Sequence, residues 1–220
     1  MMKLGLLSAM ACLAILGSTM ANVIGLDFGS DAMKVALVQP GSPLEIVTNF
    51  QSKRKTPTCI TFYRGERMFG SDSYALMPRK PELSVAKAYR MLGRALGHPL
   101  VQEVNKQYFP HELYTNETTG AATMKMEDTH YTPEELIAML MQHAKDMTLN
   151  FGGKVVSNQP QSYHPLYPSP DRTLFTPGLS NTQLSLQVIK DCVITVPASF
   201  TQHERRALYT AAEIADLKVP

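Results

Sequence analysis

Two apolar runs, Val23 to Phe28 and Met33 to Val38, flank the segment Gly29-Ser30-Asp31. Strand-length runs around so short a glycine-containing turn predict a β-hairpin and oblige whatever follows to pack on one of its faces. Pro40-Gly41-Ser42-Pro43 then breaks the chain before a third strand around Leu44 to Thr48, which makes a three-strand meander. Thr58 to Tyr63 and Arg67 to Phe69, separated by Arg64-Gly65-Glu66, predict a further hairpin. Much later, Asp191-Cys192-Val193-Ile194-Thr195-Val196 reads as a strand covered on both faces, ended by Pro197.

Helices alternate with these strands. Ser84 predicts the cap of a helix with Val85, Ala88, Tyr89 and Leu92 inward, and Gly93 stands where a glycine would end it. Thr132-Pro133-Glu134-Glu135 is a stronger start: the threonine hydroxyl reaches the amide three residues on, Pro133 suits the first helical position, and Glu135 reaches back. Leu136, Leu140, Ala144 and Met147 then form one buried stripe. Thr201-Gln202-His203-Glu204 is a second capping box, opening a helix with Leu208, Ala211, Ala212 and Ala215 inward. Between these helices, from about Gly152 to Leu186, periodicity vanishes and Pro160, Pro165, Pro168, Pro170 and Pro177 intervene. That stretch is expected to be a loop or disordered insert, either a functional insertion or a product of the gene model.

The amino terminus carries an address. Met1-Met2-Lys3, the apolar run Leu4 to Gly17 and the small residue of Thr19-Met20-Ala21 have the three regions of a secretory signal, so residues 1–21 are expected to be a cleaved signal peptide. The run is shorter than the roughly 20 residues of a membrane span, and nothing later reaches that length. Cleavage removes Cys12 and leaves Cys59 and Cys192 in β-branched surroundings, where they read as buried small hydrophobes. In a secretory context Asn116-Glu117-Thr118 predicts an exposed loop glycosylated at Asn116. A net charge of +2 gives no electrostatic reason for a nucleic-acid partner, and Lys53-Arg54-Lys55 reads as a solvated turn.

The chemistry concentrates at the first hairpin, in Gly25-Leu26-Asp27-Phe28-Gly29-Ser30-Asp31. A phosphate chain needs amide donors unobstructed by side chains, and a glycine-containing turn supplies them. The neighbouring carboxylate of Asp27 suits hydrated magnesium, which keeps most of its waters and needs only one or two protein oxygens.

These residues resemble the first phosphate motif of the actin, sugar-kinase and heat-shock chaperone superfamily. Further along, Lys55-Thr56-Pro57, then Glu66-Arg67-Met68-Phe69-Gly70, then Ile194-Thr195-Val196-Pro197-Ala198-Ser199-Phe200 with Glu204-Arg205-Arg206-Ala207, resemble the heat-shock protein 70 family in the same order. Met33 to Val38 with Pro40-Gly41 and Pro43 to Val47 looks most like its large endoplasmic-reticulum branch, the hypoxia up-regulated or large glucose-regulated chaperones. The resemblance covers about Val23 to Phe151 and Ile189 to Val219.

It implies an α/β chain with the actin-like ATPase (ribonuclease H-like) fold, first lobe only, as a mixed sheet with flanking helices over residues 22–220. It also implies ATP or ADP with Mg2+. Asp27 would face the magnesium through water, Gly29 and Ser30 would hold phosphate oxygens by their amides, and Asp31 stands where ordinary members place a threonine hydroxyl on phosphate. Pro197 and Arg205 match the pair that relays nucleotide state between domains. Implied partners are unfolded or nascent secretory proteins and a lumenal heat-shock protein 70 chaperone, in the endoplasmic-reticulum lumen.

Two departures qualify the activity. Active members place a lysine four residues before the glycine matching Gly93, and Tyr89 stands there. Lys87, two residues away, would turn by about 200° to another helical face, and a phenol cannot act as an ammonium at neutral pH. No catalytic residue is therefore assigned, and hydrolysis is expected to be weak or absent. The second departure is that the family's second lobe would follow Pro220, so the chain as given is expected to hold one wall of a cleft. Two other readings stand beside the chaperone: an actin-like or sugar-kinase enzyme sharing only the fold, and a non-catalytic interaction protein.

Overall fold

The computed structural model describes residues 22–108, 111–126, 128–156 and 189–220, the last five of the third stretch by backbone alone. The expected signal peptide and nearly all of the insert lie outside the described residues.

The hairpin forms as the sequence predicts. Strand β1 (Asn22–Phe28) pairs antiparallel with β2 (Ala32–Val38), and β2 with β3 (Glu45–Val47), while the short β4 (Thr56–Pro57) pairs with the start of β2. On the other side of β1 lies β11 (Ile189–Ile194), parallel to it. The central sheet thus runs β11-β1-β2-β3 and is mixed. The second predicted hairpin is β5 (Cys59–Tyr63) and β6 (Glu66–Phe69), followed by helix α1 (Gly70–Leu76). A third small sheet orders as β10 (Thr129–Tyr131), β9 (Ala122–Met126) and β8 (Leu113–Thr115).

Alternation along the strands puts Ile24, Leu26, Phe28, Met33, Val35 and Leu37 on one buried sheet face. Helix α3 (Pro133–Val156), which follows α2 (Pro99–Tyr108), contributes its predicted stripe of Leu136, Leu140, Ala144 and Met147 to the same core. Its capping box forms as read: the Glu135 amide donates to Thr132 Oγ1 at 3.2 Å, and the Thr132 amide to Glu135 Oε2 at 2.7 Å. Helix α4 (Gln202–Ile214) packs against α3 and buries Leu208, Ala211 and Ala212. The buried Lys145 ammonium ties the two helices together, donating to the carbonyls of Ala215 at 2.9 Å and Asp216 at 3.3 Å beyond the end of α4. A cation there satisfies carbonyls that have no partner within the helix and complements its dipole.

Three expectations need correction. Ser84 does not cap a helix: Ser84–Ala86 is strand β7, paired with β5, and only a four-residue 3₁₀ turn, Ala88–Met91, follows. The Ser84 hydroxyl is tied at 2.8 Å to that of Thr61 and donates to Lys80 O at 2.7 Å, and pairing with β5 satisfies the backbone that a helix would have used. Gly93 does adopt the left-handed backbone of a terminating glycine, at φ 65°, but after this 3₁₀ turn. Strand β11 is not covered on both faces by described residues, because Val193 is 57% exposed and shares the open sheet face with Gly25 and Ala36. Finally, α3 continues through Gly152 to Val156 into the segment read as insert. Cys59 and Cys192 are buried and unpaired as expected, and Lys53, Arg54 and Lys55 are exposed.

Candidate functional site

The carboxyl ends of β1 and β11 open into one cavity of about 510 Å3, lined among others by Asp27, Gly29, Ser30, Tyr89, Thr195, Pro197 and Phe200. The parallel register sets Leu26 beside Ile194, so the next residues, Asp27 and Thr195, emerge side by side. Thr195 Oγ1 donates to Asp27 Oδ1 at 2.9 Å and the Thr195 amide to Leu26 O at 3.0 Å. This fixes one carboxylate oxygen of Asp27, an exposed residue of the cavity lining. Sequence pattern alone does not mark Thr195 as a site residue. Its signal lay in the pairing of two strands more than 160 residues apart, which no local pattern carries.

The turn between β1 and β2 is braced by Thr58, whose hydroxyl donates to Gly29 O at 3.1 Å and whose amide donates to Asp31 O at 3.0 Å. The Lys55-Thr56-Pro57 segment is thereby held against the turn. The expected phosphate contact of the Gly29 amide is not available as drawn, because that N–H donates to Ala32 O at 3.1 Å and closes the hairpin. Glycine is required there for space: a Cβ would lie 2.9 Å from the Ala32 carbonyl oxygen. Ser30 remains in the lining with its amide and hydroxyl.

Asp31 does not line the cavity. It is ion-paired with Lys87, whose ammonium also stands 5.4 Å from the Tyr108 ring centroid. Lys87 adopts φ 59°, a left-handed conformation unusual for a side-chain-bearing residue. Lys87 therefore does not sit on another face of a helix, as the sequence predicts: it precedes the 3₁₀ turn and reaches Asp31 of the β1–β2 turn.

Tyr89 is 4% exposed, its ring 5.2 Å from that of Phe28 and 5.1 Å from that of Phe200. Burial, and then the negative charge of Asp27, push its hydroxyl up to about 12. That hydroxyl has no hydrogen-bond partner among the described residues.

The residues expected to relay are brought together around Phe200. Pro197 lines the cavity, the Phe200 amide donates to Pro197 O at 3.1 Å, and Arg205 Nε donates to Phe200 O at 3.1 Å. Beneath them Arg94 is ion-paired with the buried Glu204 and lies over the Phe200 ring at 5.9 Å. Burial raises Glu204, but hydrogen bonds from Thr201 and the Arg94 charge outweigh it and hold the carboxyl below its usual range. Asn116 lies half-buried in the turn after β8, its Oδ1 accepting the amides of Thr118 at 2.9 Å and Thr119 at 3.1 Å.

A magnesium ion fits this donor set only if phosphate shares it. Asp27 offers one carboxylate, and no group of three or more His, Cys, Asp or Glu among the described residues could hold a metal alone.

Comparison with known proteins decides the family. The family model described as "Hsp70 protein" matches residues 23–160 and 180–220. The chain belongs to the Hsp70 family. It is 35% identical over 198 residues to Hypoxia up-regulated protein 1 of Danio rerio, covering 90% of this chain and 17% of that protein. Proteins of the same name from Xenopus tropicalis and Homo sapiens are 32% and 31% identical over 213 and 211 residues, 96% of this chain in each case. The chain spans only 28% and 18% of those two relatives. The Hsp70 nucleotide-binding domain has the actin-like ATPase fold, and the mixed sheet with α3 and α4 described above is part of its amino-terminal lobe.

Proposed function

We propose that this chain forms the phosphate-side wall of the nucleotide site of an Hsp70-type chaperone of the endoplasmic-reticulum lumen. The observation that carries the reading is the Asp27–Thr195 pair, at 2.9 Å, above a braced glycine turn on a shared cavity. ATP or ADP with Mg2+ is the cofactor this wall would meet, the magnesium neutralising phosphate charge. Asp27 would hold the hydrated cation through water, oriented by Thr195. Ser30 would donate to phosphate oxygens, Gly29 would keep the turn closed, and Asp31 would keep Lys87 on the outer side of the turn. Pro197 and Arg205, joined through Phe200, would pass the state of the cavity into α4. Clients would be unfolded or nascent secretory proteins, with a lumenal Hsp70 chaperone as partner, and turnover would be slow or absent for want of the lysine that Tyr89 replaces.

Calorimetry on the full-length protein tests the assignment: Asp27→Ala should weaken binding of magnesium-nucleotide by about tenfold or more, the scale of one charge-assisted contact. Equal affinity for the variant and wild type would remove the phosphate-site reading. The signal at residues 1–21 and the sequon at Asn116 support the lumenal setting. Mass spectrometry of the cellular protein should show a start near Asn22 and a glycosidase-sensitive mass on Asn116, and an intact Met1 on that protein would overturn the setting.

A further inference from the structure

A buried ion pair joins the cavity wall to the start of α4. Gly93 follows the 3₁₀ turn in a left-handed conformation, and a Cβ there would lie 2.9 Å from the His203 carbonyl oxygen and 3.0 Å from Glu204 Cα. This backbone is therefore pressed directly onto the first turn of α4. The Gly93 amide also donates to Glu134 Oε1 at 3.1 Å, which pins the same point to the start of α3. The next residue, Arg94, lines the cavity, and its side chain, 10% exposed, is ion-paired with that of Glu204, 6% exposed.

Each oxygen of the Glu204 carboxylate has its own task. Oε2 accepts the Thr201 amide and closes the capping box of α4, while Oε1 meets the Arg94 guanidinium. A glutamine closes such a box as a glutamate does, so the cap alone does not account for a buried charge. The guanidinium also donates to Arg90 O and lies 5.9 Å from the ring centroid of Phe200, the residue that joins Pro197 to Arg205. Separating a buried pair strands two charges at high cost. A displacement of the lining that moves Arg94 must therefore carry Glu204 with it, and with Glu204 the capped turn of α4. We propose that Arg94 and Glu204 are a positioning pair that transmits the state of the cavity to the amino-terminal turn of α4, beside the path through Pro197, Phe200 and Arg205. The inference rests on the nucleotide reading above, because a nucleotide is what would change the state of the cavity. Arg94 needs no contact with that nucleotide, only with the wall that it displaces.

Glu204→Gln in the full-length protein keeps the capping box, removes the charge and lies outside the cavity lining. Hydrogen exchange of residues 201–208, with and without saturating magnesium-ADP, reads the result, and calorimetry on the same samples reports binding. In wild type the nucleotide should change the exchange of this segment by about threefold or more. In the variant it should bind within about twofold of wild type and leave the segment within about 1.5-fold of its nucleotide-free rate. A merely structural pair would lower the melting temperature and leave the nucleotide response intact, a result that would overturn the proposal. Arg94→Met with Glu204→Gln leaves no lone buried charge and serves if the single variant does not fold. The double variant should lose the response too, and a wild-type response from it would overturn the proposal. A wild-type protein that binds magnesium-ADP with no change in residues 201–208 would sink this inference and leave the nucleotide reading standing, whereas one that binds no nucleotide would remove both.

Discussion

Acidification should destabilise this fold in part through His143. The imidazole sits on α3, 9% exposed, stacked on Phe69 with centroids 5.0 Å apart and tilted against Phe50 at 5.7 Å. Burial pulls its pKa from 6.5 down to about 4. Between those two values the unfolded chain binds a proton that the folded chain refuses, so stability is full above pH 6.5 and falls as the pH drops toward 4. Integrating the two titrations from neutral pH to about pH 4.5 gives a loss of about 2.5 kcal/mol. For a domain of this size that lowers the melting temperature by about 5–10 °C. His143→Phe keeps an aromatic ring on Phe69 and removes the titration. Whatever packing cost it adds is the same at every pH, and all other titrating groups are shared, so the comparison of slopes isolates His143. Thermal melts of both proteins at neutral pH and at about pH 4.5 should show wild type losing markedly more than the variant. Equal losses would refute the argument that burial keeps this imidazole neutral.

Two further outcomes follow from local geometry. Gly29→Ala should lower the melting temperature and weaken magnesium-nucleotide binding together, by about 1–3 kcal/mol of stability, because the new Cβ would stand 2.9 Å from the Ala32 carbonyl oxygen; a variant with wild-type melting would show that the turn yields freely. Lys145→Met should cost about 1–3 kcal/mol in denaturant unfolding by stripping the carbonyls of Ala215 and Asp216 of their buried donor, and an unchanged midpoint would mean that water replaces it at no cost.

Which of these features could be read in the sequence follows from the range of the interactions that create them. The β1–β2 hairpin and both capping boxes are decided within a few residues, and they form where Gly29, Thr132 and Thr201 place them. Ser84 fails by the same logic. Its spacing to Val85, Ala88 and Leu92 is locally helical, but Thr61 on a distant strand supplies a hydroxyl and β5 supplies a pairing edge, and tertiary partners outweigh propensities of a few tenths of a kcal/mol per residue. The site divides the same way. Asp27 and the glycine turn were visible as a local segment, whereas Thr195 beside Asp27, the commitment of the Gly29 amide, and Lys87 turned onto Asp31 all depend on register or on a single left-handed residue.

These nonlocal details bear on turnover. A cation accelerates phosphoryl transfer to the extent that it meets charge which grows in the transition state. Among the described residues, Arg90 and Arg94 in the cavity lining are already matched, Arg90 by Glu103 and Arg94 by the buried Glu204, while Lys87, outside the lining, is held by Asp31. On the proposed reading Tyr89 stands at the position of the family's lysine, and a neutral phenol cannot supply that charge at neutral pH. Tyr89→Lys would supply it only if the ammonium, buried between Phe28 and Phe200, kept its proton. Desolvation opposes that charge, while Asp27 and the phosphates of a bound nucleotide favour it. The substitution should therefore raise turnover in the loaded site while placing a costly charge in the empty one. On the proposed reading such a wall would favour holding a nucleotide over consuming it, and Pro197, Phe200 and Arg205, joined by hydrogen bonds, would carry its presence to α4.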